Sequence, residues 1–212
     1  MKEAFGLYVI LTDPVAGYGK CAEAALAEGI RFLQLRVKNA PRPEIVEIAR
    51  RLREITAGTM TRLIINDDPG IAAEVDADGV HLGQEDPPLP EARKLWAVPG
   101  KIFGLSTHNE TQAESAIRLD PDYIGIGPVF PTPTKNRPDP VLGLERMGEI
   151  IRGNPLTAVA IGGINEGNLR QVLDRGAVNF AAVRPIMETA DPRGAIRRLM
   201  DIWRARRETP TK

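Results

Sequence analysis

Two basic side chains and an amide alternate with apolar residues in the segment "QLRVK". Gln34, Arg36 and Lys38 stand at positions i, i+2 and i+4, so on a β-strand they would share one face. Two cations on one face need anions, because a guanidinium is costly to bury without a partner. The segment therefore predicts either a site for a phosphate-bearing ligand or a structural cluster of ion pairs.

A second polar group follows the apolar run in "YIGIGPVFPTPTK". Thr132, Thr134 and Lys135 are interleaved with Pro131 and Pro133. Proline restricts the backbone to extended shapes and has no N–H to donate, so the loop is stiff and displays two hydroxyls and an ammonium. Such donors suit an anion. The alternative is a polar surface loop with a solvated lysine.

The glycine pair in "AIGGIN" offers a third contact for an anion. Glycine lets a backbone N–H approach a ligand closely, and a helix is predicted to begin just after the pair. We expect Gly163 to bind a phosphate together with the backbone of Val183 and Arg184, where the last apolar run ends. The alternative is that the pair Gly162 and Gly163 only relieves crowding in a tight turn, above all at Gly162, and Pro185 adds no N–H.

The acidic residues of "INDDPG" and "GQEDPP" divide into helix caps and candidate metal ligands. Asp68 precedes Pro69, and an aspartate followed by proline is a helix start signal. Asp68 is therefore predicted to be a cap, which leaves Asp67 free at a strand end. Asp86 also precedes a proline, and from the residues alone it is either a cap or a ligand for a hard cation.

The two histidines, His81 and His108, do not suggest a general base. His81 lies in an apolar run and is expected to be hydrogen-bonded at the end of a strand. His108 precedes Asn109, whose spacing to Gln112 resembles a capping box, so it is expected only to line the site. Neither histidine has the third partner of a triad, and no serine shows the nucleophile-elbow pattern.

The composition is that of an ordinary globular chain. Of 212 residues, 28 are Lys or Arg and 28 are Asp or Glu, a balance that argues against a nucleic-acid or membrane partner. Cys21 is the single cysteine, which excludes an intrachain disulfide and is compatible with a cytoplasmic protein. No apolar run approaches the length of a membrane span. The sequence leaves the formation of a homo-oligomer open.

The elements that must position these residues alternate regularly. Eight short apolar runs are separated by amphipathic segments such as "PEIVEIARRLREIT", a pattern typical of parallel strands connected by helices. We predict the α/β class and a single-domain (β/α)8 TIM barrel over residues 1–212, with a short polar C-terminal tail from about residue 205. A doubly wound open sheet is the alternative. In a barrel, the polar residues above would meet at the carboxyl ends of the strands.

Six motifs in order resemble the thiamine phosphate synthase family: "LQLRVK", "IINDD", "DGVHLGQED", "GLSTH", "YIGIGPVFPTPTK" and "AIGGI". Together they cover nearly the whole chain. The resemblance implies a barrel enzyme that uses Mg²⁺ to join hydroxymethylpyrimidine diphosphate to a thiazole phosphate and releases pyrophosphate. The family usually has a longer or acidic residue at the position of Val37, which would point away from the lumen.

The resemblance also implies a role for each matching residue. The thiazole phosphate would be held by Thr132 and Thr134, which adds to the backbone contacts expected at Gly163, Val183 and Arg184. The pyrimidine diphosphate would be bound by Gln34, Arg36, Lys38 and Lys135. Asn66 and Ser106 would orient the diphosphate and the pyrimidine, and the matching aspartates, Asp67 and Asp86, would bind Mg²⁺. Arg36, Lys38 and Lys135 would stabilise the negative charge that develops as the diphosphate departs, and Ser106 would belong to the same set of catalytic residues.

Two other functions remain open on the same fold. A thiazole tautomerase would bind the same thiazole phosphate but transfer only a proton, and it would not need the acid pair together with "QLRVK" and Lys135. A non-catalytic sensor of phosphate ligands is compatible with the fold alone, because fold does not fix function.

Overall fold

The computed structural model describes residues 4–132 and 139–208. The predicted site residues Thr134 and Lys135 lie outside this range. Within it, no helix combines the length and the apolar character that a membrane span would require.

Eight parallel strands close into one barrel in the order of the sequence. Each strand pairs with its neighbours along the chain, and the last strand pairs with the first, with Leu7 opposite Phe180. Every strand lies within one of the eight predicted apolar runs. The predicted TIM barrel is confirmed, and the open-sheet alternative is wrong. The strands are β1 Leu7–Leu11, β2 Phe32–Leu35, β3 Arg62–Asn66, β4 Gly79–Leu82, β5 Ile102–Thr107, β6 Tyr123–Ile126, β7 Ala158–Ala160 and β8 Asn179–Ala182.

Helices follow the strands and cover the outside of the barrel. They are α1 Tyr18–Ala27, α2 Arg42–Thr56, α3 Pro69–Glu74, α4 Leu89–Leu95, α5 Glu110–Leu119, α6 Gly143–Gly153, α7 Leu169–Asp174, α8 Arg184–Met187 and α9 Pro192–Glu208. Helix α9 continues through Glu208, so the first residues of the polar tail that we predict from about residue 205 are helical. The apolar side of α9 packs on the barrel as far as Trp203.

Two hydrophobic clusters divide the core. The larger one lies between the strands and the helices, and Val37 packs against it, so this side chain points away from the lumen as expected. The smaller cluster fills the barrel interior and is rich in aromatic rings. Phe5 and Phe32 pack with ring centroids 4.4 Å apart, and Tyr8 and Tyr123 pack edge to face at 5.6 Å. Aromatic pairs of this kind favour tilted and edge-to-face arrangements.

Asn179 closes the seam between β1 and β8. Its Oδ1 accepts hydrogen bonds from the backbone N–H groups of Phe5 (2.8 Å) and Gly6 (3.1 Å), and the residue is buried. These two donors would otherwise be costly to bury. Trp203 of α9 covers the same end of the barrel and donates from Nε1 to the Val178 carbonyl over 2.8 Å.

Candidate functional site

A cavity of about 550 Å³ opens where the carboxyl ends of the strands meet. Among the predicted site residues, those that line it are Arg36, Ser106, Thr132, Gly163, Val183 and Arg184. Its apolar wall includes Ile10, Ile161 and Ala181. A volume of this size accommodates a small-molecule ligand.

A charged cluster lies beside this cavity, after the ends of β2 and β3. Lys38 Nζ forms an ion pair with Asp67 Oδ2, and both side chains are partly exposed. Arg36 is half-buried, and burial lowers the pKa of its guanidinium while the charges of Asp67 and Asp13 oppose the shift. Arg36 lines the cavity and interacts with Asp67, so it connects the charged cluster to the cavity.

Asp68 is the helix cap that the sequence predicts, whereas the Asp67 carboxylate forms the ion pair with Lys38. The Asp68 carboxylate accepts a hydrogen bond from the Ile71 N–H over 2.9 Å and caps α3. Asp67 adopts a left-handed backbone with φ 66°, which is uncommon for a residue other than glycine but tolerated by aspartate. Its N–H donates to the His81 carbonyl (2.8 Å). The carboxylate of Asp67 is thereby turned toward Lys38 rather than toward the helix.

Asp86 does not serve as the helix cap that its proline neighbour allowed. Helix α4 begins at Leu89 with Pro88 as its cap residue, two residues beyond Asp86. Instead, Asp86 Oδ2 accepts a hydrogen bond from the Gly83 N–H over 2.6 Å. Burial and the neighbouring Asp67 carboxylate raise the pKa of Asp86 to about 6. The two predicted metal ligands therefore lie close together, after adjacent strands.

The donor set around Asp67 and Asp86 fits a hard cation that also binds a ligand. Within residues 4–132 and 139–208, no cluster of three or more His, Cys, Asp or Glu side chains is arranged to hold a metal ion. Mg²⁺ commonly binds through one or two carboxylates plus water and phosphate oxygens rather than through an all-protein cage. Two crowded carboxylates, one with a raised pKa, match that requirement.

A hydrogen-bonded chain crosses the barrel interior. Gln34 Nε2 donates to the Tyr8 hydroxyl (3.0 Å), and the hydroxyls of Tyr8 and Tyr123 are 2.8 Å apart. The Tyr123 hydroxyl lies 3.0 Å from His81 Nδ1, and His81 Nε2 lies 2.9 Å from Ser106 Oγ. We refer to these five residues as the interior chain. His81 is thus hydrogen-bonded at the barrel mouth, as predicted.

The "QLRVK" segment is not one continuous strand face. Strand β2 ends at Leu35, so only Gln34 of the three polar residues lies within it. Gln34 is 2% exposed and points into the barrel interior, whereas Lys38 is exposed beyond the strand end. The alternation predicted the inward direction of Gln34 correctly, but the strand does not extend to Lys38.

His108 lines the cavity and is held from two sides. Its Nδ1 donates to the Gly127 carbonyl (2.7 Å), and its Nε2 lies 3.5 Å from Asp139 Oδ2. Asn109 caps α5 by accepting from the Gln112 N–H at 2.9 Å, and Gln112 Oε1 in turn accepts from the His108 N–H at 2.7 Å. The predicted capping arrangement is present.

Both the backbone conformation and the close neighbouring atoms require glycine at positions 162 and 163, just after β7. Gly162 and Gly163 have φ values of 102° and 65°. A Cβ on Gly162 would lie 2.5 Å from Pro128 Cα, and a Cβ on Gly163 would lie 2.7 Å from both Phe130 Cβ and the Pro131 carbonyl oxygen. The relief of crowding that is the alternative for this pair therefore applies to both glycines.

The remaining predicted residues are placed as follows. Asn66 ends β3, opposite His81. Arg184 Nε forms an ion pair with Glu188 Oε1 at 2.8 Å, so its side chain has a partner in the residue that follows α8. Within the described part of the chain, Lys38, Asn66, Asp67 and Asp86 lie outside the set of cavity-lining residues.

Sequence reasoning missed Tyr8 and Tyr123, because tyrosine in an apolar run reads as ordinary core. One feature of the sequence could have indicated the interior chain. Gly104 interrupts β5, and glycine inside a strand often marks a close approach of another group. A Cβ on Gly104 would collide with the Tyr123 ring and would lie 2.6 Å from His81 Nδ1. The glycine therefore makes room for the interior chain.

Comparison with known proteins identifies the family of this chain. The family profile described as "Thiamine monophosphate synthase" matches residues 7–186. A thiamine-phosphate synthase of Gloeobacter violaceus is 42% identical over 186 residues, which are 88% of this chain and 54% of that relative, so the chain spans about half of its length. A thiamine-phosphate synthase of Syntrophomonas wolfei is 40% identical over 179 residues, which are 84% of this chain and 85% of the relative.

A solved structure agrees with these matches. Thiamine phosphate pyrophosphorylase from Pyrococcus furiosus superimposes with a TM-score of 0.85 and 36% identity, and the alignment covers 95% of this chain and 96% of that one. The names of these relatives denote transferases, which is the enzyme class that the six motifs predict. The chain belongs to the thiamine monophosphate synthase family.

Proposed function

We propose that this protein is a thiamine phosphate synthase. It would join 4-amino-2-methyl-5-(diphosphooxymethyl)pyrimidine to a thiazole phosphate and release pyrophosphate. The observation that supports this proposal best is the position of the charged cluster of Lys38, Asp67 and Asp86, connected through Arg36 to the cavity. A diphosphate needs such a combination of cations and metal-binding carboxylates, whereas a proton transfer does not.

Two groups of cavity-lining residues would bind different substrates. Thr132, Gly163, Val183 and Arg184 line the cavity and would contact the thiazole phosphate, the last two through their backbone. Ser106 and Arg36 also line it and would contact the pyrimidine diphosphate, which Asn66 would help to orient. The proposed roles of Thr134 and Lys135 rest on the motif alone.

Asp67 and Asp86 would hold Mg²⁺, which when bound neutralises charge on the diphosphate. Arg36 and Lys38 would donate hydrogen bonds to the leaving diphosphate as its negative charge develops. The bond between the methylene carbon and the diphosphate oxygen would break and leave a pyrimidinylmethyl cation. The thiazole nitrogen would then form the new C–N bond, and the diphosphate would leave with the electron pair.

The barrel would contribute mainly by positioning. Holding two substrates in register in one cavity can contribute about 7–11 kcal/mol to lowering a barrier. His108, fixed by Gly127 and Asp139, would form part of the wall without a role as a base. The proposed location is the cytoplasm, and no nucleic-acid partner is proposed, because the substrates would be small molecules and the charges of the chain balance.

The test is to incubate the protein with both substrates and Mg²⁺ and to measure thiamine phosphate by its fluorescence after oxidation. Product should require both substrates and the metal. Asp67→Asn should reduce turnover on the order of a hundredfold or more, by analogy with about 10–100-fold losses from changes outside a metal's own ligands. Added Mg²⁺ should restore part of it, and Asp68→Asn is the matched control.

The same experiment separates the other two functions. A thiazole tautomerase would convert the thiazole phosphate when the pyrimidine substrate is omitted, which NMR of the thiazole would detect. A sensor would bind one or both ligands in calorimetry without forming product. Either result would refute the synthase proposal.

A further inference from the structure

The interior chain ends in two chemically different groups. At one end is the buried amide of Gln34, whose Nε2 can only donate, and it donates to the Tyr8 hydroxyl. At the other end is Ser106, which lines the cavity. Each hydroxyl between them carries one hydrogen and can both donate and accept. A donor fixed at one end can therefore set the direction of every hydrogen bond up to the cavity wall.

The direction follows from counting hydrogens. For Tyr8, the described part of the structure gives hydrogen bonds to Gln34 and Tyr123. Because Tyr8 accepts from Gln34, its own hydrogen is satisfied only by donation to Tyr123. If Tyr123 donated to Tyr8 instead, the buried Tyr8 hydrogen would be left without an acceptor within the described residues, which is costly in a buried site.

The remaining links follow the same direction. Tyr123 accepts from Tyr8 and donates to His81 Nδ1, so this nitrogen is unprotonated. A neutral imidazole then carries its hydrogen on Nε2, which donates to Ser106 Oγ. Burial raises the pKa of Tyr8 and of Tyr123, so both phenols keep the hydrogens that this order requires.

We propose that Tyr8 and Tyr123 are positioning residues that hold His81 in its Nε2–H tautomer and thereby make Ser106 a hydrogen-bond donor to the cavity. Ser106 accepts from His81, so its own hydrogen is free to point toward a ligand. In the opposite order, Ser106 would donate to His81 and offer only lone pairs. The wall therefore offers a hydrogen-bond donor to an acceptor atom of a ligand, such as a phosphoryl oxygen or an unprotonated ring nitrogen.

The expectation that Ser106 donates to the pyrimidine diphosphate rests on the proposed function. The expected tautomer of His81 does not depend on that function. The main experiment therefore uses the ligand-free protein. NMR of ¹⁵N-labelled histidine near pH 8, at which an ordinary imidazole is about fully neutral, reports which ring nitrogen carries the hydrogen. The chain has two histidines, and His81→Gln assigns the signals. We expect His81 to carry its hydrogen on Nε2.

Three Tyr→Phe variants test the role of the tyrosines. Tyr123→Phe removes the donor to Nδ1 and should give a mixture of tautomers. Tyr8→Phe leaves that donor in place and should have a smaller effect. Tyr18→Phe is the matched control, because its hydroxyl contacts Asp13 outside the interior chain, and it should leave His81 unchanged. Thermal melts should show that all three variants fold, since the rings are retained.

Turnover measurements provide a second readout. Tyr123→Phe should lower kcat on the order of tenfold, comparable to the loss of other orienting partners, with a smaller change in KM. A wild-type His81 that carries its hydrogen on Nδ1 would overturn the proposed direction. An unchanged tautomer and unchanged kcat in Tyr123→Phe would overturn the positioning role. If the tautomer result holds but no thiamine phosphate forms with any variant, the proposed function fails and the inference about Ser106 stands.

Discussion

Asp86 faces the carboxylate of Asp67 after the ends of two adjacent strands, β4 and β3, and burial together with this neighbour raises the pKa of Asp86 to about 6. Lys38 neutralises part of the charge through its ion pair with Asp67. In the metal-free protein the remaining charge is unfavourable. A divalent cation would relieve it, and so would a proton.

The pH dependence of stability should reflect this arrangement. In the folded protein Asp86 keeps its proton up to about pH 6. In the unfolded chain it would release the proton near the ordinary aspartate pKa of 3.8. The folded state therefore binds more protons across this window, and the contribution of Asp86 to the free energy of unfolding should be lost as the pH rises from about 4 to about 6. Asp86→Asn should flatten this slope and raise the melting temperature at pH 7, while abolishing stabilisation by Mg²⁺.

Chemical denaturation over a pH series, with and without Mg²⁺, checks the prediction. Wild-type protein should gain stability from the metal chiefly above pH 6, where the carboxylate is charged. A variant that keeps the wild-type slope would show that Asp86 is not the titrating group.

Asp68 should be important for stability and not for turnover. Asparagine caps a helix about as well as aspartate, whereas alanine costs about 1 kcal/mol. Asp68→Asn should therefore be nearly silent, and Asp68→Ala should lower the free energy of unfolding by about that amount, with kcat unchanged at saturating Mg²⁺. A large loss of turnover in the asparagine variant would assign Asp68 to the metal site.

Lys38, in contrast to Asp68, should be important for turnover and not for stability. Its ion pair with Asp67 is partly exposed, and such pairs contribute only about 0–1 kcal/mol to stability. Lys38→Met should therefore melt almost like the wild type but lower kcat by about 10²–10³-fold, as the loss of a preorganised donor does elsewhere. Arg50→Met breaks a comparably exposed ion pair with Glu74 on the outside of the barrel and is the control. Equal turnover for the two variants would argue against a role of Lys38 at the diphosphate.

Gly163→Ala should damage the whole site rather than one substrate's binding. The added Cβ would collide with Phe130 and the Pro131 carbonyl, which lie just before Thr132. Gly58→Ala has a similar φ of 71° with nothing within 4 Å, so it should show only the backbone cost, about 1–2 kcal/mol. Gly163→Ala should cost more in thermal melts and should raise KM for both substrates. A rise for the thiazole phosphate alone would show that the loop adjusts around the new side chain.

The fold was predictable because each strand lies within an apolar run and amphipathic segments separate the runs. Eight such repeats favour a closed barrel over the open-sheet alternative. The caps Asp68 and Asn109 were predictable as well, because capping depends on residues three positions apart. The role of Asp86 was not, since the sequence does not show that α4 starts after Pro88.

The interior chain was not predictable from the sequence, since it joins residues from five different strands. Gln34 and Tyr8 are 26 positions apart, and Tyr8 and Tyr123 are 115 apart. Apart from Gly104, nothing in the local pattern distinguishes these tyrosines from core aromatics. Their contacts depend on the closure of the barrel.

The seam that Asn179 closes has a consequence for the growing polypeptide during translation. Phe5 and Gly6 leave the ribosome early, but their hydrogen-bond acceptor follows more than 170 residues later. A nascent chain that stops before β8 leaves both amides and the edge of β1 exposed, and such edges invite association with other chains. We expect ribosome-bound chains ending before Asn179 to be cleaved readily by protease within β1, and chains that extend through α9 to resist.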